Sequence, residues 1–205
     1  FLELPKNKFE RKYEVKIKGK LSRFQVKRIM DGLIINRFKY QPIKIRISSL
    51  SFTYYLISVV VSQQLSTKAA AIIWQRVHKV IEEDHELVDF NMLLQIAGLS
   101  QSKTRYVLGL LENKKLLEFD RQALIGMPKE EFEKLLLSNY GIGPWSVQMA
   151  RMFYLGDSDI FPINDLGIKH AHDKLFPKHK LDKSFYEVFK PWRTYLSLFM
   201  WNSLS

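Results

Sequence analysis

The hydrophobic positions change period near residue 50. In residues 12–20 (KYEVKIKGK), Tyr13, Val15 and Ile17 alternate with charged residues, the two-residue period of a half-buried strand, and Gly19 can end it. Residues 24–31 read as a short helix closed by an Asp31-Gly32 turn. Residues 33–35 and 43–47 (IKIRI) read as further strands around Pro42. From Ser51 the apolar positions recur at helical spacing. Helices are predicted over residues 52–61, which read as buried, and over 67–83, with Thr67 as N-cap and Ala69, Ala70 and Ala71 as good formers. The polar stretch Ser62-Gln63-Gln64-Leu65-Ser66 separates these two. Further helices are predicted over residues 91–96, ending at Gly98, and over 100–114, capped by Ser100. Residues 128–137 follow, with Pro128 in the first turn and Glu130, Glu131 and Glu133 where the helix dipole favours anions. The last two cover 166–175 and 191–202. The pattern predicts a mainly α protein: a short, basic, strand-bearing element over residues 1–50 and a helical domain over 51–205.

Composition narrows the function classes. The chain has 205 residues, of which 46% are hydrophobic and 13% aromatic, so most of it can bury a core. There is no Cys, which excludes a disulfide framework, a thiolate zinc site, an iron–sulfur cluster and a Cys nucleophile. The longest apolar stretch, residues 52–61, carries Thr53, two Tyr and Ser58 and is too short to span a bilayer. No signal segment is visible at the start, and a first residue other than Met leads us to expect a trimmed or partial chain. The expected setting is intracellular: cytoplasm and nucleoid, or nucleus. The charge is uneven. Residues 1–50 hold 14 basic and 4 acidic side chains, and the remainder 18 and 17, within a total of +11. A basic front on a near-neutral body fits either a polyanion partner or a solubilising surface. Of the five His, His170 and His172 lie two apart and fall on different helix faces. They and His78, His85 and His179 are read as surface or structural rather than metal-binding.

The chemistry concentrates in residues 135–168, LLLSNYGIGPWSVQMARMFYLGDSDIFPINDLGI. An apolar helix ends near Leu137, Gly141 and Gly143 bracket Ile142 in a turn, and Pro144 opens a new helix. Such a turn is either an ordinary helix connection or a place where side-chain-free backbone lets a phosphate approach exposed N–H groups. Trp145, Met149, Met152 and Phe153 share one face of the second helix. Asp165 follows a Pro-containing loop and precedes the next helix, either as a plain N-cap or as a carboxylate held at a cleft.

These residues resemble the helix-hairpin-helix DNA glycosylase superfamily: a hairpin, then Trp145, then an Asp 20 residues further on. Ser62-Gln63-Gln64-Leu65-Ser66 is similar to the segment preceding the family's first core helix, and Gly98-Leu99-Ser100-x-x-Lys103 to another shared stretch. Pro191-Trp192-Arg193-Thr194-Tyr195 with Trp201 resembles the terminal helix of AlkA-type 3-methyladenine DNA glycosylases. The resemblance covers roughly residues 45–203, with four motifs in order.

The resemblance implies a helix-hairpin-helix core of two helical subdomains, with the hairpin at 137–143. It implies that Asp165 is catalytic and that Trp145 and Trp201 line a base pocket, with Met149 where the family has a pocket Tyr. The wedge that fills the gap left by a flipped nucleotide falls on Gln64 or Leu65. Gln63, Gln64, Leu65, Ser66, Gly141 and Gly143 are the implied DNA contacts. The backbone carbonyls of Leu137, Asn139 and Ile142 are the implied ligands of a monovalent Na⁺ or K⁺; no other cofactor is expected. The implied partner is double-stranded DNA with damaged bases, bound by a monomer. Bifunctional members place a Schiff-base Lys two residues after the hairpin's second Gly; here that position is Trp145. The expectation is therefore a monofunctional glycosylase excising 3-methyladenine- or 7-methylguanine-type bases. An alkylated purine carries positive charge and leaves without a general acid, and an indole face attracts it by about 0.5–2 kcal/mol. The alternatives are uracil, hypoxanthine or oxidised-guanine specificity on the same fold, or a non-catalytic hairpin module.

Overall fold

The computed structural model describes residues 44–83 and 89–204. The strand and helix expectations for residues 1–43 and the placement of His85 lie outside the described residues. Among the described residues the architecture is helical throughout. Residues 44–47, the described part of the strand expected over 43–47, do not form one. The adjoining backbone is tied instead to helical elements: Ser48 N–H donates to Phe153 O at 2.9 Å, and Arg121 donates to Ser48 O. Of the alternating apolar positions, Ile45 is half-buried and Ile47 is exposed.

The central element is α1, Phe52–Ser62, apolar on almost every face and buried over most of its length. Val59, Val60 and Val61 are poor helix formers, but full burial outweighs their propensity. Helix α2, Thr67–Glu82, packs beside it and is capped by Ser66 rather than Thr67: Ser66 Oγ accepts from Ala69 N–H at 3.3 Å. Helices α3, Phe90–Ile96, and α4, Gln101–Glu112, follow, the latter capped by Ser100 and packed against α1. The helix expected over 100–114 ends at Glu112, and beyond it lie two short helices that were not expected: α5, Lys114–Leu117, and α6, Arg121–Gly126. Asn113 and Asp120 cap them. Helix α7, Lys129–Leu137, leads through a tight turn into α8, Pro144–Ala150, which continues as one π-helical turn over Arg151–Leu155. Left-handed Gly156 ends that turn.

Helix α9, Leu166–Leu175, short α10, Lys183–Tyr186, a 3₁₀ turn at Glu187–Phe189 and α11, Arg193–Asn202, complete the chain. Two hydrophobic clusters result, matching the expected two subdomains. One is centred on α1, α4 and α8. The other joins Ile168, Ala171, Phe176, Tyr186 and Met200 of the C-terminal elements. Buried His172 belongs to the second, with Nδ1 at 2.6 Å from Tyr186 Oη and Nε2 at 2.6 Å from His179 O, a structural role. Trp201 packs against both clusters, so the seam between them runs past its indole.

Candidate active site

Asp165 sits on that seam at the start of α9. Its Oδ1 accepts from Ile168 N–H at 2.9 Å, the helix-capping bond expected of an Asp there. The carboxylate also does what a cap alone does not require. Trp201 Nε1–H donates to Oδ1 at 2.8 Å and Trp145 Nε1–H to Oδ2 at 2.9 Å. Trp145 comes from the first turn of α8 and Trp201 from the last turn of α11, so the carboxylate is where three helices meet. A carboxylate oxygen has two lone pairs. Oδ1 uses both and Oδ2 uses one, so one acceptor direction remains, on Oδ2.

Gly167 makes this arrangement possible and was not singled out in the sequence. A Cβ there would lie 2.8 Å from Trp201 Cδ1 and 3.0 Å from both Trp201 Nε1 and Asp165 Oδ1. The available signal was its position: a Gly in the first turns of a helix costs about 0.5–1 kcal/mol relative to Ala, so it calls for a packing reason.

The loop carrying Asp165 is held from α11 by the Arg193-Thr194 pair. Arg193 grips Asp159 in a fork, Nε to Oδ1 at 2.6 Å and Nη2 to Oδ2 at 2.8 Å. Thr194 Oγ1 donates to Asp157 O at 2.7 Å and accepts from Ile160 N–H at 2.9 Å. Burial tends to raise the Asp159 carboxyl's pKa, but hydrogen bonds and charge from Arg193 prevail and hold it below the usual carboxylate value. Arg193 and Thr194 entered the sequence reading only as part of a resemblance; here they are the anchors of the site loop.

Met149 does not join the two indoles at the surface. Its side chain lies in the core at 6% exposure, and its carbonyl accepts from Tyr55 Oη–H at 2.8 Å. Burial pushes the Tyr55 hydroxyl's pKa far up, so it remains a donor.

The hairpin separates the duties of its glycines. Gly141 has φ of +85°, and a Cβ there would lie 2.3 Å from the Tyr106 ring, so the fold itself requires glycine. Gly143 has an extended φ of −107°, and a Cβ there meets no atom within 4 Å. The left-handed position of the turn is therefore 141, and among the described residues no contact calls for glycine at 143. Helix α8 has no side-chain cap, so no capping side chain engages its first backbone donors. Asn139 O accepts from Ile142 N–H at 3.1 Å, while among the described residues no hydrogen bond engages the carbonyls of Leu137 and Ile142.

The stretch between α1 and α2 lies beside this hairpin. Gln63, expected to contact DNA, turns its amide inward: Nε2–H donates to Gly141 O at 2.9 Å and to Ser146 Oγ at 3.2 Å. Gln64, Leu65 and Ser66 are exposed, and Gln64 is the non-glycine with positive φ, +58°, among the described residues. Among these residues no cluster of His, Asp and Glu could hold a metal, and no helix is long and apolar enough to cross a membrane.

No protein-family model matches the chain. Among curated relatives, it is 28% identical over 167 residues to DNA-3-methyladenine glycosylase 1 of Schizosaccharomyces pombe, covering 72% of this chain and 70% of that protein. It is 34% identical over 83 residues to Bacillus subtilis YfjP, which covers 38% of this chain but only 29% of that protein. The chain therefore spans well under two thirds of that relative's length. Among solved structures, a Schizosaccharomyces pombe 3-methyladenine DNA glycosylase in complex with abasic DNA superposes with a TM-score of 0.67 at 25% identity, covering 86% of this chain and 89% of that one.

Proposed function

Because the chain belongs to the helix-hairpin-helix DNA glycosylase superfamily, we propose that it excises alkylated bases from double-stranded DNA by hydrolysing the N-glycosidic bond, without lyase activity. The observation that carries this reading is the Asp165 carboxylate, fixed by Trp145, Trp201 and Ile168 with one acceptor direction left open. Cleavage of an N-glycosidic bond develops positive charge on the deoxyribose, as in other glycoside hydrolyses. A carboxylate that cannot rotate away is organised in advance for that charge, an effect worth about 2.7–4 kcal/mol per group. The free lone pair on Oδ2 is suited to orient the attacking water and take its proton as oxygen bonds to C1′. The departing alkylated purine takes the electrons of the broken bond and leaves neutral, so no general acid is needed.

The indoles act on the carboxylate through their N–H edges, leaving their faces for a flipped base. The start of α8, with no capping side chain and no Cβ at Gly143 to obstruct approach, suits a DNA phosphate. The unengaged Leu137 and Ile142 carbonyls and Asn139 O would hold a monovalent cation, which supplies positive charge beside that phosphate. Gln64 and Leu65 suit the gap left in the duplex. Absence of lyase chemistry is supported by Trp145 at the position of the Schiff-base Lys and by the engagement of its N–H with Asp165.

The test is a panel of duplexes, each with one lesion, scored for abasic sites. 3-Methyladenine and 7-methylguanine should be released faster than neutral hypoxanthine or uracil, and borohydride should trap no covalent adduct. Faster release of uracil would move the specificity to the alternative class; no release from any duplex would leave a non-catalytic DNA-binding module.

A further inference from the structure

Lys103 breaks a local rule. It lies in the first turn of α4, at the positive end of that helix's dipole, where a cation is disfavoured. Its ammonium reaches away from its own helix to the end of α1, donating to Val61 O and Gln63 O, both at 2.7 Å. Those carbonyls belong to the negative end of α1, where the helix can no longer satisfy them. Burial lowers the Lys103 pKa, as expected of a charge partly withdrawn from water. The contact bridges 42 and 40 residues of sequence.

The bond falls immediately before a strained residue. Gln64 holds φ of +58°, a conformation disfavoured for a side-chain-bearing residue that persists where neighbours over-determine it. Those neighbours are identifiable. Lys103 fixes the carbonyl of Gln63, and the Gln63 amide is fixed in turn to Gly141 O and Ser146 Oγ of the hairpin. Residue 63 is thus held from both sides, and the exposed tip at Gln64 and Leu65 is aimed from a rigid base.

We propose that Lys103 is a positioning residue: through the Val61 and Gln63 carbonyls it holds the Gln64–Leu65 tip in the shape that enters the duplex when a nucleotide is everted. This rests on the excision reading above. It predicts a defect confined to the step in which a paired base leaves the stack, with the chemistry at Asp165 untouched.

The experiment is single-turnover release of 7-methylguanine by the full chain from two substrates: the lesion paired with C, and the same lesion in a one-nucleotide bulge that needs little help to evert. Lys103→Met should slow release from the paired duplex about tenfold, the scale of losing charge-assisted hydrogen bonds. Release from the bulge should stay close to that of the unaltered protein, which also shows that the variant is folded. Lys103→Arg should restore most of the paired rate. A 2-aminopurine beside the lesion should show a weaker fluorescence rise on binding Lys103→Met. Combining Lys103→Met with Gln64→Ala should cost no more than the larger single loss, because both act on one tip. Equal losses on both substrates, or additive losses in the double variant, overturn the inference while leaving excision in place. If the unaltered protein releases the base from neither substrate, the excision reading falls, and this inference with it.

Discussion

Helices α8 and α9 begin within about one turn's reach of the same indole, Trp145, yet their N-termini are opposites. Helix α9 is closed by its own protein: Asp165 caps it, two indoles fix the carboxylate, and the loop before it is pinned by Arg193 and Thr194. Helix α8 is left open, with Gly143 in place of a capping side chain. A helix start filled by a fixed carboxylate presents negative charge, and one left bare presents N–H donors. The first suits a developing sugar cation and the second a phosphate. One end of the site is thus made rigid by internal bonds, and the other has no capping side chain.

The largest expected effect comes from removing the charge at the closed end. Asp165→Asn keeps an oxygen for the cap but sets an amide NH2 against the Trp145 N–H that Oδ2 accepts, so stability should fall by about 1–3 kcal/mol, the scale of one lost hydrogen bond. Base release should fall about 10²–10³-fold, the scale for losing one preorganised electrostatic group. Retained DNA affinity, measured by gel shift, would separate this from misfolding. Near-normal turnover by the Asn variant would take the carboxylate out of the reaction.

Loosening the carboxylate while keeping its charge should do less. Trp201→Phe keeps a ring and removes the N–H donor; Gly167→Ala keeps both and pushes the indole out of reach. Each should lower the single-turnover rate about ten- to hundredfold, the equivalent of 1.5–3 kcal/mol for a hydrogen bond to a charged group. Both should act on charged and neutral lesions alike, because the fault lies in Asp165. If Trp201→Phe instead spares neutral bases, the indole face rather than its N–H is what matters.

The open end separates fold from function within one turn. Gly141→Ala should destabilise the protein by more than the roughly 1–2 kcal/mol of a left-handed conformation, since the Cβ also meets the Tyr106 ring. Gly143→Val meets no such obstacle and should leave the melting temperature nearly unchanged. It should weaken binding to lesion and undamaged duplexes equally, by several-fold, about one hydrogen bond. Melting curves with gel shifts for the two variants check this; loss of lesion preference without loss of general affinity at Gly143→Val would contradict a phosphate role.

Local signals made much of this legible in the sequence. The helical periods located the long helices, Ser100 and Asp165 announced their caps, and Gly141-Ile142-Gly143-Pro144 announced the turn. Helices α5 and α6 were not legible, being too short for a period to register. The alternation expected to make a strand over 43–47 yields none over the described residues 44–47, where Ile47 lies near Gly156, so period alone could not distinguish irregular chain from a strand. The pairings that build the site were also hidden: Trp201 with Asp165, Lys103 with Val61 and Arg193 with Asp159 each bridge more than thirty residues. Composition carries no record of which distant donor meets which acceptor. The inward turn of Gln63 shows the same limit, since an exposed-looking polar stretch concealed a buried tie.

The smallest effect concerns how the closed end is braced. Asp159 is partly shielded, and Arg193 holds its pKa below the ordinary carboxylate value against the opposing pull of burial. A carboxyl whose folded pKa is depressed binds fewer protons folded than unfolded. Its contribution to stability is therefore complete above the unfolded value, near 3.8, and is lost as pH falls from there through the folded value. Asp159→Asn removes that contribution at every pH while Arg193 keeps Glu187 as a partner. The melting temperature of the variant should lie about 2–4 °C below that of the unaltered protein if the pair supplies about 1 kcal/mol. That gap should stay constant from pH 8 to about pH 5 and close in more acid solution, where the unaltered protein becomes protonated as well. Because Asp159 leads into the loop that carries Asp165, base release at neutral pH should fall with the same variant by less than with Gly167→Ala. A gap that widens towards acid pH would place the depressed carboxyl elsewhere and remove Arg193 from the bracing of the site.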